Sequence, residues 1–171
     1  RLLYVSTKAN EIAGRNGIGR INMIEDRVMG IKSRECYECP AALLLIQAHQ
    51  SLETLCLDAE TLKQKAKLDV EWASTVYRGL WFSQNRNAID AYNAYTQKFV
   101  SGEVRIKLCK GGLFVDGLRS DYSLYDYNLA TYDEGDTFDH TASRGFIDLH
   151  GLQSKTWSRV QGPGSGLQPV E

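Results

Sequence analysis

The chain has 171 residues, 43% of them hydrophobic and 24% charged, with a formal net charge of −1. A chain of this length is expected to bury roughly 70% of its unfolded surface around one real core, and its near-neutral balance gives no electrostatic pointer to nucleic acid or to a membrane surface. The longest apolar run, Ala41-Ala42-Leu43-Leu44-Leu45-Ile46, falls far short of the ~20 residues that a membrane-spanning helix needs.

The amino terminus, Arg1-Leu2-Leu3-Tyr4-Val5, has neither an initiating Met nor a secretory pattern, so the chain reads as an excerpt with residues missing upstream. Residues 2–13 contain good helix formers and meet Gly14 and Arg15-Asn16-Gly17, which predicts a short helix closed by a left-handed cap. Residues 19–31 alternate polar and apolar side chains in their first half before Gly30 punctuates them. The pattern predicts a half-buried strand, a bend, and a second extended stretch through Lys32-Ser33-Arg34. Pro40 is suited to the first turn of a helix that is apolar over most of its surface through Leu43, Leu44, Ile46, Leu52, Leu55 and Leu57, which places that helix at the centre of the core.

Asp58 is a cap for the next helix, with Leu62, Leu68, Trp72, Val76, Tyr77 and Leu80 recurring every three or four residues and Glu60, Lys63, Lys65 and Lys67 at polar positions. Ser83 caps a third, carrying Ile89, Tyr92, Tyr95 and Phe99 on one side until Gly102. Residues 103–109 then alternate strictly, Lys110-Gly111-Gly112 is a turn, and Leu113-Phe114-Val115 begins a returning strand, the strongest hairpin signal in the chain. Residues 123–131 fit a short helix or an irregular turn, residues 145–150 a further short strand, and Gly162-Pro163-Gly164-Ser165-Gly166 a flexible linker. The segregation of helices from strands predicts an α+β class, helices packed on a mainly antiparallel sheet, and argues against a doubly wound nucleotide fold.

The chemistry-bearing residues are sparse. Cys36-Tyr37-Glu38-Cys39 has the spacing of half a zinc or redox site, but His49 and Cys56 do not complete it. Two small buried or half-buried thiols in a reduced cytoplasmic protein are the plainer expectation. Gly14-Arg15-Asn16-Gly17 matches a Gly-x-x-Gly RNA-binding loop, and a glycine-containing helix-to-strand connection accounts for it equally well. His49, His140 and His150 have no Ser or Cys partner at a motif spacing. Asp133, Glu134, Asp136 and Asp139 lack the order of a calcium loop and read as a solvated loop. Tyr122, Tyr125, Tyr127 and Tyr132 suit packing against the sheet better than base stacking.

Glu25 interrupts an otherwise apolar strand face, and Tyr37 follows twelve residues later beyond a bend. If the segment doubles back, a carboxylate and a phenol face one pocket, a pairing that suits a zwitterionic small molecule. The default alternative is a surface carboxylate paired with Arg27 or Lys32.

The stretch Gly17-Ile18-Gly19-Arg20-Ile21-Asn22-Met23-Ile24-Glu25-Asp26-Arg27-Val28-Met29-Gly30-Ile31-Lys32-Ser33-Arg34-Glu35-Cys36-Tyr37-Glu38-Cys39-Pro40 closely resembles the long signature of argininosuccinate synthases. Val76-Tyr77-Arg78-Gly79-Leu80-Trp81-Phe82-Ser83, Ser123-Leu124-Tyr125-Asp126 and Gly135-Asp136-Thr137-Phe138-Asp139 continue the likeness in order. The resemblance implies a cytoplasmic ATP-dependent ligase of arginine biosynthesis. ATP, with Mg, activates the ureido oxygen of citrulline as an adenylate with release of pyrophosphate, and the aspartate amine displaces AMP. Such catalysis is chiefly positioning and charge stabilisation.

The family's citrulline-binding glutamate and tyrosine, twelve apart, fall on Glu25 and Tyr37. Its Ser-Gly-Gly-Leu-Asp-Thr phosphate loop has no counterpart here, so ATP is expected to be held mainly by a missing amino-terminal domain and this piece alone to be inactive. Asn22, Cys36 and Cys39 depart from the family's usual aspartate, aliphatic residue, and threonine or alanine. The resemblance further implies a homotetramer and the division 1–150 synthetase domain, 151–161 short oligomerisation helix, 162–171 flexible tail. The competing hypotheses are a relic or assembly module that keeps the fold without ligase activity, and a citrulline binder without catalysis.

Overall fold

Backbone geometry that only glycine tolerates sets the first half of the chain. In a computed structural model that describes residues 2–130, 139–163 and 166, the chain divides into two compact units, Arg1–Tyr125 and Asp126–Glu171. In the first, helix α1 (Leu2–Arg15) ends as the amides of Asn16 and Ile18 both close onto the Ala13 carbonyl at 3.1 Å. Strands β1 (Arg20–Asp26) and β2 (Lys32–Glu38) follow as an antiparallel ribbon with Ile21 opposite Tyr37 and Glu25 opposite Ser33. Its root is pinned where the Cys39 amide donates to the Gly19 carbonyl at 2.9 Å. Gly19 sits at φ +84°, and a Cβ there would lie 2.5 Å from the Pro40 nitrogen, so both the conformation and the close approach demand glycine.

Helix α2 (Pro40–Cys56) starts at that proline. Helix α3 (Ala59–Tyr77) is capped by Asp58, whose side chain accepts from the Thr61 amide at 2.9 Å; that bond, with a second from the Thr61 hydroxyl, holds the carboxyl below its ordinary range. Helix α4 (Gln84–Thr96) is capped by Ser83 and passes into one 3₁₀ turn, Gln97–Phe99. Strands β3 (Glu103–Cys109) and β4 (Gly112–Arg119) make the second ribbon. Lys110 and Gly111, at φ 48° and 86°, form the two-residue turn whose twist matches the strands. Asp116 is the extra residue of a bulge between the Ile106–Val115 and Arg105–Gly117 pairs. The tip of this ribbon is tied to the α1–β1 loop by the Gly111 amide and the Asn16 carbonyl, 2.6 Å apart. Helix α2 packs against α1 and against both strands of the second ribbon, and α3 packs against α4.

The α+β class holds, but the sheet is two separate two-stranded ribbons. The expected core is small: among the described residues the buried apolar side chains are Ala13, Ile18, Cys56 and Ile89. Helix α2 is central by its neighbours, yet Leu43 and Ile46 keep 39% and 54% of their surface, because its apolar girth exceeds what the packed elements cover. Lys65 reverses its expected polar placement and is buried. Cys36 is exposed rather than half-buried. Tyr122 and Tyr125 stand half-exposed or more, and the Tyr122 ring meets Phe99 at 5.2 Å instead of lying on a sheet.

In the second unit, α5 (Tyr127–Ala130) is a single turn, followed by α6 (Ala142–His150) and α7 (Leu152–Gln161). The strand expected at 145–150 is therefore helical. Phe146 and His150 stack one turn apart at 4.9 Å, and the Gly151 amide closes onto the Ile147 carbonyl, contacts that only a helix provides. Asp133, Glu134, Asp136 and Tyr132 lie outside the described residues, as does most of 162–171. Asp139 is described, and its carboxylate accepts from the amide and hydroxyl of Thr141. No helix among the described residues is long and apolar enough to cross a membrane.

Candidate functional site

Alternation along the first ribbon sorts its side chains onto two faces. The register puts Ile21, Met23, Glu25, Ser33, Glu35 and Tyr37 on one of them. Arg27, whose amide pairs with the Ile31 carbonyl at 2.8 Å, extends that face into the turn. Asn22, Asp26, Lys32, Arg34 and Cys36 occupy the other.

On the first face two contacts run diagonally and parallel to each other. The Tyr37 hydroxyl, from opposite Ile21, donates to Glu25 Oε2 at 2.8 Å, four positions along the ribbon. The Arg27 guanidinium reaches back across the strands, donating from Nε to Ser33 Oγ at 3.0 Å and from Nη2 to Glu35 Oε1 at 2.7 Å. The hydrogen bond to Glu25 is the main reason the Tyr37 phenol is held above its ordinary pKa; partial burial and the charges of Glu25 and Glu35 add to it, and Arg27 opposes.

The two sequence-predicted residues thus come together, and the default pairing of Glu25 with a basic neighbour is replaced. Arg27 goes to Glu35, and Lys32 goes to Asp26 at 2.6 Å on the opposite face. Glu25 Oε2 takes one phenolic hydrogen, which leaves a carboxylate, four lone-pair sites in all, with acceptor capacity for an ammonium or ureido N–H. Beside Tyr37 the root of the ribbon opens into a hollow of about 630 Å³ lined by Arg20, Ile21, Asn22, Cys36, Tyr37 and Glu38. Glu25 does not line it. On the opposite face Asn22 Oδ1 accepts from Arg34 Nε at 3.0 Å, so the neutral amide at this position keeps a hydrogen bond to the arginine while forgoing an ion pair.

A second polar cluster was not legible. Buried Glu53 of α2 meets Lys65 Nζ of α3 at 3.1 Å and accepts from Gln97 Nε2 at 2.8 Å, while His49 Nε2 lies 2.6 Å from Gln97 Oε1. Burial alone lowers the Lys65 pKa, but hydrogen bonds to Asp69 and Glu53 and their charges more than offset it and hold the ammonium above its ordinary range. Lys65 and Gln97 stand 12 and 44 positions from Glu53 on other helices, a spacing no local pattern signals. Their polar groups are matched to one another, so the cluster reads as a tie between helices. Among the described residues no group of three or more His, Cys, Asp or Glu side chains stands close enough to hold a metal ion.

Comparison with known proteins places this ribbon. The family model described as "Arginosuccinate synthase C-terminal domain" matches residues 2–157. A protein named argininosuccinate synthase from Synechococcus sp. (strain JA-3-3Ab) is 53% identical over 159 residues, which are 93% of this chain and 39% of that protein. The chain therefore spans well under half the length of that relative, and its matched residues include the whole charged ribbon and the helices that root it. On this evidence the chain belongs to the argininosuccinate synthase family, as its carboxy-terminal domain.

Proposed function

We propose that this chain is the carboxy-terminal part of an argininosuccinate synthase and that Glu25 and Tyr37 hold citrulline. The observation that carries this reading is the 2.8 Å contact from the Tyr37 hydroxyl to Glu25, which fixes the carboxylate on the same face as the phenol and leaves it free of the neighbouring cations. Glu25 accepts from citrulline N–H groups and Tyr37 orients the carboxylate, so the contribution of this chain is positioning. In the reaction ATP transfers its adenylyl group to the ureido oxygen of citrulline, pyrophosphate leaves, and the aspartate amine attacks the ureido carbon to expel AMP. The nucleotide and its Mg are held mainly by the amino-terminal part of the synthase, outside this chain.

Residues 1–150 serve as the synthetase domain and 151–161 as a helix for subunit contacts in a cytoplasmic homotetramer. The exposure of Leu152 and Trp157 on α7 supports the role given to 151–161, since exposed apolar side chains grouped in this way mark interaction surfaces.

The test combines this chain with a separately produced amino-terminal part of a related synthase and follows pyrophosphate release with ATP, citrulline and aspartate. Turnover is expected, with the KM for citrulline rising roughly a hundredfold in Glu25→Ala, as for a lost hydrogen bond to a charged group. An active assembly in which Glu25→Ala leaves that KM unchanged removes Glu25 from the site.

A further inference from the structure

The basic side chain nearest in sequence to Glu25 on its own face is Arg27, two residues on. Two residues along a strand place Cα atoms about 6.6 Å apart with side chains parallel, close enough for an arginine to pair with the carboxylate. It does not do so. The guanidinium is drawn across the ribbon to Ser33 Oγ at 3.0 Å and Glu35 Oε1 at 2.7 Å. Glu35 is the less exposed partner of that ion pair, its side chain retaining 29% of its surface against 52% for Arg27. Ser33 is directly opposite Glu25, so the arginine passes beside the carboxylate on its way to Glu35.

We propose that Glu35 is a positioning residue of the citrulline site, acting by holding Arg27 off Glu25. The inference rests on the reading that Glu25 receives citrulline. A zwitterion's N–H donors compete for Glu25 with any cation already seated there. An intramolecular guanidinium two residues away has an effective concentration that a dissolved metabolite does not match. Glu35 removes this competitor by giving Arg27 a better-placed carboxylate, and Ser33 fixes the guanidinium plane through its hydroxyl. Charge is balanced as well: the Arg27–Glu35 pair is neutral, so Glu25 remains the uncompensated negative group on this face.

The test uses the same assembly of this chain with the amino-terminal part of a related synthase. Glu35→Gln is expected to raise the KM for citrulline roughly tenfold while kcat and the KM for aspartate stay near wild type. The double variant Arg27→Gln/Glu35→Gln is expected to recover the wild-type KM, because the competitor is gone. Loss in the single variant without recovery in the double makes Glu35 a direct contact or a structural support and overturns the proposal, as does an unchanged KM in Glu35→Gln. Glu25→Ala run alongside separates the two layers: if it leaves the citrulline KM untouched the site reading fails, whereas a sensitive Glu25 with an insensitive Glu35 sinks only the positioning role. A crystal structure of the Glu35→Gln chain supplies a readout independent of turnover. Arg27 within hydrogen-bonding distance of Glu25 is expected, and a guanidinium that stays clear of Glu25 overturns it.

Discussion

The two antiparallel ribbons are close in length and differ in what holds them. The second, β3–β4, turns Val104, Ile106 and Leu108 toward partial cover at alternate positions, and both its strands pack on α2. The first, β1–β2, is exposed along most of both strands, and its side chains pair among themselves: Tyr37 with Glu25 and Arg27 with Glu35 on one face, Arg34 with Asn22 and Lys32 with Asp26 on the other. One ribbon is held by apolar burial, whereas the other is held by its turn, its root and a lattice of polar contacts. The site proposed above lies on the ribbon whose side chains are not committed to packing. Side chains that carry packing cannot be spared for a ligand, whereas a polar face with unused acceptors can exchange water for substrate.

The comparison breaks hardest at the root of the first ribbon. Gly19→Ala puts a Cβ 2.5 Å from the Pro40 nitrogen at a positive φ, and overpacking plus left-handed strain should cost about 3 kcal/mol in urea unfolding. Hydrogen exchange on that variant is expected to show β1 and β2 opening before β3 and β4. Simultaneous opening of both ribbons would mean that they are a single cooperative unit.

A smaller effect separates the faces. Ile106→Ala, in the seated ribbon, should destabilise by about 1–2 kcal/mol, the lower range for truncating a partly buried aliphatic side chain. Ile24 retains 62% of its surface in the polar ribbon, and its truncation to Ala should stay within about 0.5 kcal/mol. Equal losses at the two positions would erase the distinction.

The smallest effect is a titration. The Tyr37 phenol, raised chiefly by donation to Glu25, should ionise later than an ordinary tyrosine. Its phenolate absorbance, isolated by difference against Tyr37→Phe, should move to lower pH in Glu25→Ala, which removes both the acceptor and the charge. Because the folded value is raised, the stabilisation from this contact is complete below the ordinary tyrosine range and is lost as pH climbs through the folded value. A titration that Glu25→Ala leaves in place would show that the contact does not persist in solution.

What the sequence disclosed follows the reach of its signals. Strict alternation with Lys110-Gly111-Gly112 between the strands located the second ribbon, because period and turn chemistry are both local. Asp58, Ser83 and Pro40 marked helix starts for the same reason. The Glu25–Tyr37 contact was half legible. An even spacing permits a shared face, but the Ile21–Tyr37 and Glu25–Ser33 register depends on the turn at 27–31. Residues 145–150 misled because Phe146 and Ile147 are strand-favouring residues whose helical contacts involve His150 and Gly151 at the segment's end. The Glu53–Lys65–Gln97 tie was illegible, since three helices must first be placed before those groups meet. The core was overestimated because composition counts apolar residues without saying whether this chain or another surface covers them. Phe82, 92% exposed, is the extreme case.

One modest contact changes how the first ribbon behaves as an object. The Tyr77 hydroxyl, at the end of α3, donates to the Asp26 carbonyl at 3.0 Å, beside the turn and at the far end from Gly19. The ribbon is thus not a free arm swinging from its root but a span fastened at both ends, and the side chains of Glu25, Glu35 and Tyr37 ride between the fastenings.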